Sequence, residues 1–218
     1  MTDAEARSEI LGLSTDDLGL FGEAIWQNVL SSSDIFYVPL CRIETGSAPM
    51  AKRKSQAIVL PDFDVASVGK TMYLDSKVKT RSVWYFNASQ ERHGIDEKNW
   101  TAYSDSGTIY RKDAGIGIVE LLRHDNRWSG SLLIERFVGL GKPFRGFNSQ
   151  EHMVYWRREA FFILDSFSPT RLRDMATGKP SRNYSDQLHE ALFSDPPLPL
   201  PPPPKQTKLL EIQKSLFP

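Results

Sequence analysis

This chain is short of the features that assign a protein quickly. Its 218 residues include a single cysteine, Cys41, so it can form neither an internal disulfide nor a cysteine-built zinc site. Cys41 follows the apolar run Phe36 to Leu40 and reads as a buried structural thiol. No apolar run approaches the roughly 20 residues needed to cross a bilayer, and no membrane partner is expected. Charge of one sign is also lacking: 27 Lys and Arg balance 27 Asp and Glu. The chain therefore has no overall positive surplus of the kind nucleic-acid binders often carry. Its basic residues cluster only locally, at Lys52, Arg53 and Lys54 and at Lys77, Lys79 and Arg81. The four histidines, His93, His124, His152 and His189, are too scattered to suggest a metal cluster. His93 reads as a structural residue, with a phosphate contact as the alternative. There is no Gly-X-Ser-X-Gly elbow, and Gly115-Ile116-Gly117 lacks the further glycines and the Lys-Ser/Thr of a phosphate loop. The polar, acidic first residues do not resemble a signal peptide, so a cytoplasmic location is expected.

Hydrophobic residues make up 40% of the chain and aromatic residues 11%, enough for one substantial core. Ser14 or Thr15 can cap a helix with Asp16 and Asp17 in its first turn. Leu18, Phe21, Ile25 and Val29 recur on one face of that helix. Ile35 to Leu40 reads as a strand, and residues 44–56 read as a loop. Ala57 to Leu60 reads as a strand stopped by Pro61, and Asp64 to Lys70 as a hairpin turn. Thr71 to Lys79 alternates, with Tyr73, Asp75, Lys77 and Lys79 on one face. Val83 to Phe86 is a further strand candidate, and its Trp84, Tyr85 and Phe86 are candidates for stacking on bases. A helix from Asp96 to about Lys112 buries Trp100 and Tyr103, with Gly115 closing it. Ile116 to Leu122, Ser131 to Leu140 and Met153 to Phe167 suggest strands, and Tyr184 to Phe193 a short helix. Strands alternating with helices argue for an α/β core. Seven of the nine residues from Pro196 to Pro204 are proline, which favours an extended spacer. Leu209, Ile212 and Leu216 then recur at helical spacing.

The chemistry concentrates at Ile58-Val59-Leu60-Pro61-Asp62 and, thirteen residues after Asp62, at Asp75-Ser76-Lys77. If two neighbouring strands carry them, two carboxylates and an amine meet. Two carboxylates suit a hard divalent cation, and an ammonium beside it suits a phosphate oxygen or an attacking water. The backbone carbonyl of Ser76 offers a third oxygen, and Glu23 on the first helix is placed to approach the same ion. Asp64 is the alternative to Asp62.

These residues, with the order helix, strand, strand, strand and helix, resemble the signature of the PD-(D/E)XK nuclease superfamily, including its resolvase-like and phage-type members. The stretch His93-Gly94-Ile95-Asp96 through Trp100 and Tyr103 to Ala114-Gly115-Ile116 is similar to the segment that many of those members carry after the triplet. The resemblance covers about residues 14–125 and not 130–218. It implies a restriction-endonuclease-like mixed β-sheet flanked by helices, to which the composition adds a proline-rich C-terminal tail. Residues 1–193 would form the nuclease-like domain, 194–204 a linker and 205–218 a short amphipathic helix. It implies a Mg²⁺-dependent nuclease, with Mn²⁺ as a substitute, acting on DNA more than RNA. Asp62, Asp75, Ser76 and Glu23 would hold metal, and Asp62, Asp75, Lys77 and Glu23 would form the catalytic set. Residues 130–195 are left for specificity or homodimer formation, and the proline-rich tail for a protein partner. The alternative is a non-catalytic nucleic-acid- or protein-binding module on the same fold.

Overall fold

The computed structural model describes residues 1–40, 50–53, 56–67, 69–81, 83–85, 90–110, 112–124, 127–145 and 152–194. Helix α1 (Asp3–Leu11) starts at a capping box between Thr2 and Glu5. Helix α2 (Thr15–Ser32) is capped by Ser14, whose hydroxyl accepts the Asp17 N–H, and it buries Ile25, Trp26, Val29 and Leu30. Leu18 and Phe21 extend that stripe as partly buried neighbours.

The strands come in the order β1 (Phe36–Pro39), β2 (Met50–Arg53), β3 (Gln56–Val59), β4 (Phe63–Ser67), β5 (Lys70–Lys79), β6 (Val83–Tyr85) and β7 (Gln90–Asp96). Helix α3 (Glu97–Tyr110) leads to β8 (Asp113–His124) and β9 (Arg127–Arg136). Helix α4 (Phe137–Leu140), β10 (Phe144–Arg145), β11 (Met153–Arg157) and β12 (Phe162–Phe167) come next. Helices α5 (Pro169–Ala176) and α6 (Ser185–Leu188) and a π-helical turn (His189–Phe193) complete the described chain. Among the described residues no helix is long and apolar enough to cross a membrane.

Six strands form the main sheet in the order β1-β4-β5-β8-β9-β12. Its neighbours are antiparallel except β5 and β8, which run parallel. A parallel pair needs a long crossover, and β6, β7 and α3 supply it. β10-β11-β7-β6 form a second sheet and β2-β3 a two-stranded one.

Each face of the main sheet carries its own core. On one side Met72, Leu74, Val119, Leu121, Leu132 and Ile134 meet α2, α5, α6 and the π-helical turn. On the other, Tyr73, Ile116, Ile118 and Leu133 meet Tyr103 of α3 and Ile95, Val154 and Trp156 of the second sheet. The result is a mixed α/β molecule in layers: β5 alternates between two faces as expected, and each face carries a core where one was expected.

Several local expectations are corrected. The strand before Pro61 does not neighbour β5: among the described residues β3 pairs only with β2, inside the span expected to be a loop. The neighbour of β5 is β4, inside the expected hairpin turn, which shrinks to the bend at Gly69 with φ of +76°. That left-handed conformation suits glycine. Gly115 does not close α3 but lies inside β8. The strand expected to reach Leu140 ends at Arg136 and turns into α4. The strand candidate at Val83 is observed as Val83–Tyr85, at the edge of the second sheet. Cys41, Phe86, the proline run and the expected C-terminal helix lie outside the described residues.

Candidate metal and catalytic site

The site arises because β5 outruns its neighbour. β4 pairs with β5 from Lys70 to Leu74, whereas β8 pairs with it from Met72 to Lys79. Past Leu74, among the described residues, no strand continues the ladder on the β4 side of β5. Asp62, just ahead of β4, fills the gap: its Oδ2 accepts the Ser76 N–H at 2.7 Å. The carboxylate thus continues the ladder and is held against Asp75-Ser76-Lys77. This opening lies beside the middle of the parallel ladder of β5 and β8, which runs on to Lys79.

Asp75 is wholly buried, at 0% exposure. Its two oxygens have different neighbours. Tyr103 donates its hydroxyl to Oδ1 at 2.6 Å. Oδ2 lies 2.5 Å from Lys77 Nζ, an ion-pair contact without hydrogen-bond alignment. Lys77 also donates to the Ser76 carbonyl at 3.0 Å, and its side chain keeps 27% exposure. The ammonium therefore lies against two oxygens that sequence reasoning assigned to a metal.

The electrostatics are those of crowded carboxylates. Burial, then the charge of Asp75, pushes the Asp62 pKa up to about 7, against the pull of Lys77 and the Ser76 N–H. Burial alone would lower the Lys77 amine, but Asp75, Asp62 and Glu23 outweigh it and hold the pKa above the ordinary lysine value. Burial, then the Asp75 charge, raises the Tyr103 phenol, so it stays a hydrogen-bond donor. Glu23, 7% exposed on α2, acts on both Asp62 and Lys77, more weakly than Asp75 does.

The structure thus brings Asp62, Asp75, Ser76 and Lys77 together, with Glu23 in electrostatic reach. Asp64 is engaged elsewhere, paired with Lys112 across from Tyr73. His93 is 2% exposed and paired with Glu120, which Arg158 also grips, so it serves the interior. The side chains of Trp84 and Tyr85 lie outside the described residues. Sequence reasoning placed Tyr103 on the buried side of its helix but missed its bond to Asp75. It placed Lys79 on the face of Asp75 and Lys77 but missed the bond its amine donates to the Gly94 carbonyl at 2.5 Å.

Among the described residues, no three His, Cys, Asp or Glu side chains gather as a metal site. The oxygens offered to a cation are two carboxylates and the Ser76 carbonyl, and the Lys77 ammonium lies against Asp75 Oδ2 and that carbonyl. By number and type they suit Mg²⁺, which usually takes one or two carboxylates and keeps several waters, once Lys77 turns aside. The ammonium held by Asp75 and Ser76 marks a place where positive charge is favoured, whereas the raised Asp62 pKa is first of all an effect of burial.

No family model matches the chain, and no curated protein matches it. Among solved structures it is similar to Hjc, a Holliday junction resolvase from the archaeal hyperthermophile Archaeoglobus fulgidus. The identity is 8% and the TM-score 0.32, over 63% of this chain and 84% of that one. That likeness is loose, and the chemistry here stands on side-chain geometry.

Proposed function

We propose that the protein is a Mg²⁺-dependent nuclease that hydrolyses phosphodiester bonds in DNA. The observation that carries this reading is the convergence of Asp62, Asp75 and Lys77 where β5 runs past β4. In this reading Asp62, Asp75 and the Ser76 carbonyl hold the cation, and Glu23 adds negative potential from α2. A bound Mg²⁺ supplies Lewis acidity, acidifying a water and offsetting charge on the phosphate. Lys77, partly exposed as Asp62 also is, orients the attacking water and stabilises the charge that develops on the phosphate. Asp75, fixed by Tyr103, does not have to reorganise as that charge appears.

Incubation with linear, branched and single-stranded DNA in Mg²⁺ tests the proposal. Wild-type protein cleaves at least one form, and Asp75→Ala cleaves none while keeping its circular-dichroism spectrum. Lys77→Met slows cleavage by roughly a hundredfold or more, as expected for loss of a charge-stabilising group. Cleavage by Asp75→Ala at the wild-type rate contradicts the assignment.

One observation favours a second reading. Asp75 has no solvent exposure, and Lys77 and Tyr103 occupy its oxygens. A non-catalytic module would keep Lys77 as its permanent counter-ion. Such a module binds DNA or protein in the absence of Mg²⁺ and leaves DNA intact in its presence.

A further inference from the structure

The second sheet turns one face to the core and the other away from it. Ile95, Val154 and Trp156 enter the core, and His93 reaches in to Glu120. Their neighbours along β7 and β11 therefore point outward. Arg92 and Arg157 stand directly opposite each other on that outer face, as do Gly94 and Tyr155. Tyr155 lays its ring across Gly94, where a Cβ would come within 2.5 Å of it. Phe144 of β10 pairs with Tyr155 from the other side and keeps 40% exposure. Both guanidinium groups converge on the Phe144 ring, Arg92 at 4.3 Å and Arg157 at 5.8 Å from its centroid. Like charges directly opposite on neighbouring strands repel, and an anion beside them relieves that repulsion. Arg157 is half-buried, and among the described residues no carboxylate pairs with it. Arg145, next to Phe144, is 78% exposed and bridges to Glu97 at 2.7 Å. The acid of this face, among the described residues of β7, β10 and β11, is Asp96 at the Met153 end.

We infer that this outer face docks single-stranded DNA, with a base stacked against Phe144 and an adjoining phosphate held by Arg157. An exposed ring beside cationic side chains is the combination by which proteins hold single strands without reading their sequence. Arg92 fixes the Phe144 ring by a cation–π contact, so the platform is formed before a base arrives. An unpaired base offers its π-face to that ring, whereas a duplex keeps its base faces within the stack. The inference takes from the proposed function the choice of DNA and goes beyond it. The surface needs no metal and is tested without one.

Fluorescence anisotropy of a labelled oligothymidylate in EDTA measures binding by the full chain without cleavage. Wild type binds saturably, with affinity falling as salt rises. Phe144→Leu lowers the affinity by about tenfold, within the contribution of one base–aromatic stack. Phe144→Trp keeps a π-face and retains the wild-type affinity. Arg157→Gln lowers the slope of log affinity against log salt by about 0.7, the loss of one phosphate contact on a single strand. Arg173→Gln removes an equal charge from α5, on the other side of the main sheet, and changes neither value. Circular dichroism checks each fold, and the tryptophan and glutamine variants carry the test if Phe144→Leu unfolds. Absent binding, or wild-type values in both Phe144→Leu and Arg157→Gln, overturns the inference. So does tighter binding of duplex DNA, of oligouridylate or of polyglutamate. None of these results bears on the cleavage assay, and a failure of cleavage leaves this binding in place.

Discussion

Lys79 lies two residues beyond Lys77 on the same face of β5, with its amine against the Gly94 carbonyl. Burial, then the neighbouring Lys77 charge, pushes its pKa down from 10.5 to about 8. Between those values the folded protein binds fewer protons than the unfolded chain. Stability therefore rises with pH across the window and is lost as pH falls through about 8. Urea unfolding at a series of pH values up to about 10 shows that rise in wild type. Lys79→Met flattens it and is the more stable protein at neutral pH; an unchanged slope would show that Lys79 does not carry the effect. At this scale the sequence was partly legible. Asp62, Asp75 and Lys77 were found because a Pro-Asp and an acidic-X-Lys triplet are local patterns. Tyr103 was not, because its bond to Asp75 spans 28 residues and its only signal was helical spacing.

The packing of α2 on β5 decides where Glu23 stands. Gly22 makes the close approach: a Cβ there would lie 2.6 Å from Val78 Cγ2 and 2.9 Å from Ser76 Oγ. Gly22→Ala must push the helix off the strand beside two site residues. Overpacking of this kind costs about 1–3 kcal/mol, against a helix-propensity gain of at most about 1 kcal/mol. Thermal unfolding should show a net loss, and Mg²⁺-dependent cleavage should fall with it. An alanine variant with a raised melting point would mean that α2 has room the distances deny. Helix α2 and strand β5 were readable because each carries a full period of apolar residues. The strand beside β5 was misassigned for a physical reason. Ile58-Val59-Leu60 is the more apolar run, while Phe63–Ser67 includes Asp64 and Ser67 and resembles a turn. The structure reserves Phe63 and Val65 for the core and lets Asp64 face Lys112. Pairing of that sort is settled by contacts remote in sequence.

At the scale of the whole molecule, the main sheet is a wall shared by two cores. Leu132 and Leu133 are neighbours on β9, both at 0% exposure, and they point into opposite cores. Each Leu→Ala change should cost about 2–5 kcal/mol. Because one sheet joins the cores, both variants should shift the same single unfolding transition. Two separable transitions, one moved by each variant, would show that the cores fold independently. The layered α/β class was visible in the alternation of elements, but the second sheet was not. Its strands β6 and β7 lie between β5 and β8 in the chain, and β7 pairs with β11, some sixty residues on. No local pattern announces such a pairing. It is nonetheless the layer that buries the Asp75 face of β5, and so makes Asp75, Asp62 and Lys77 a low-dielectric cluster in place of an exposed charged strand. The proposed function requires this cluster to hold a cation. Calorimetric titration of the full chain with Mg²⁺, beside Asp75→Ala, decides whether it does. Saturable binding at one site per chain that vanishes in Asp75→Ala is the expected result; no saturable binding, or equal binding by both proteins, contradicts it.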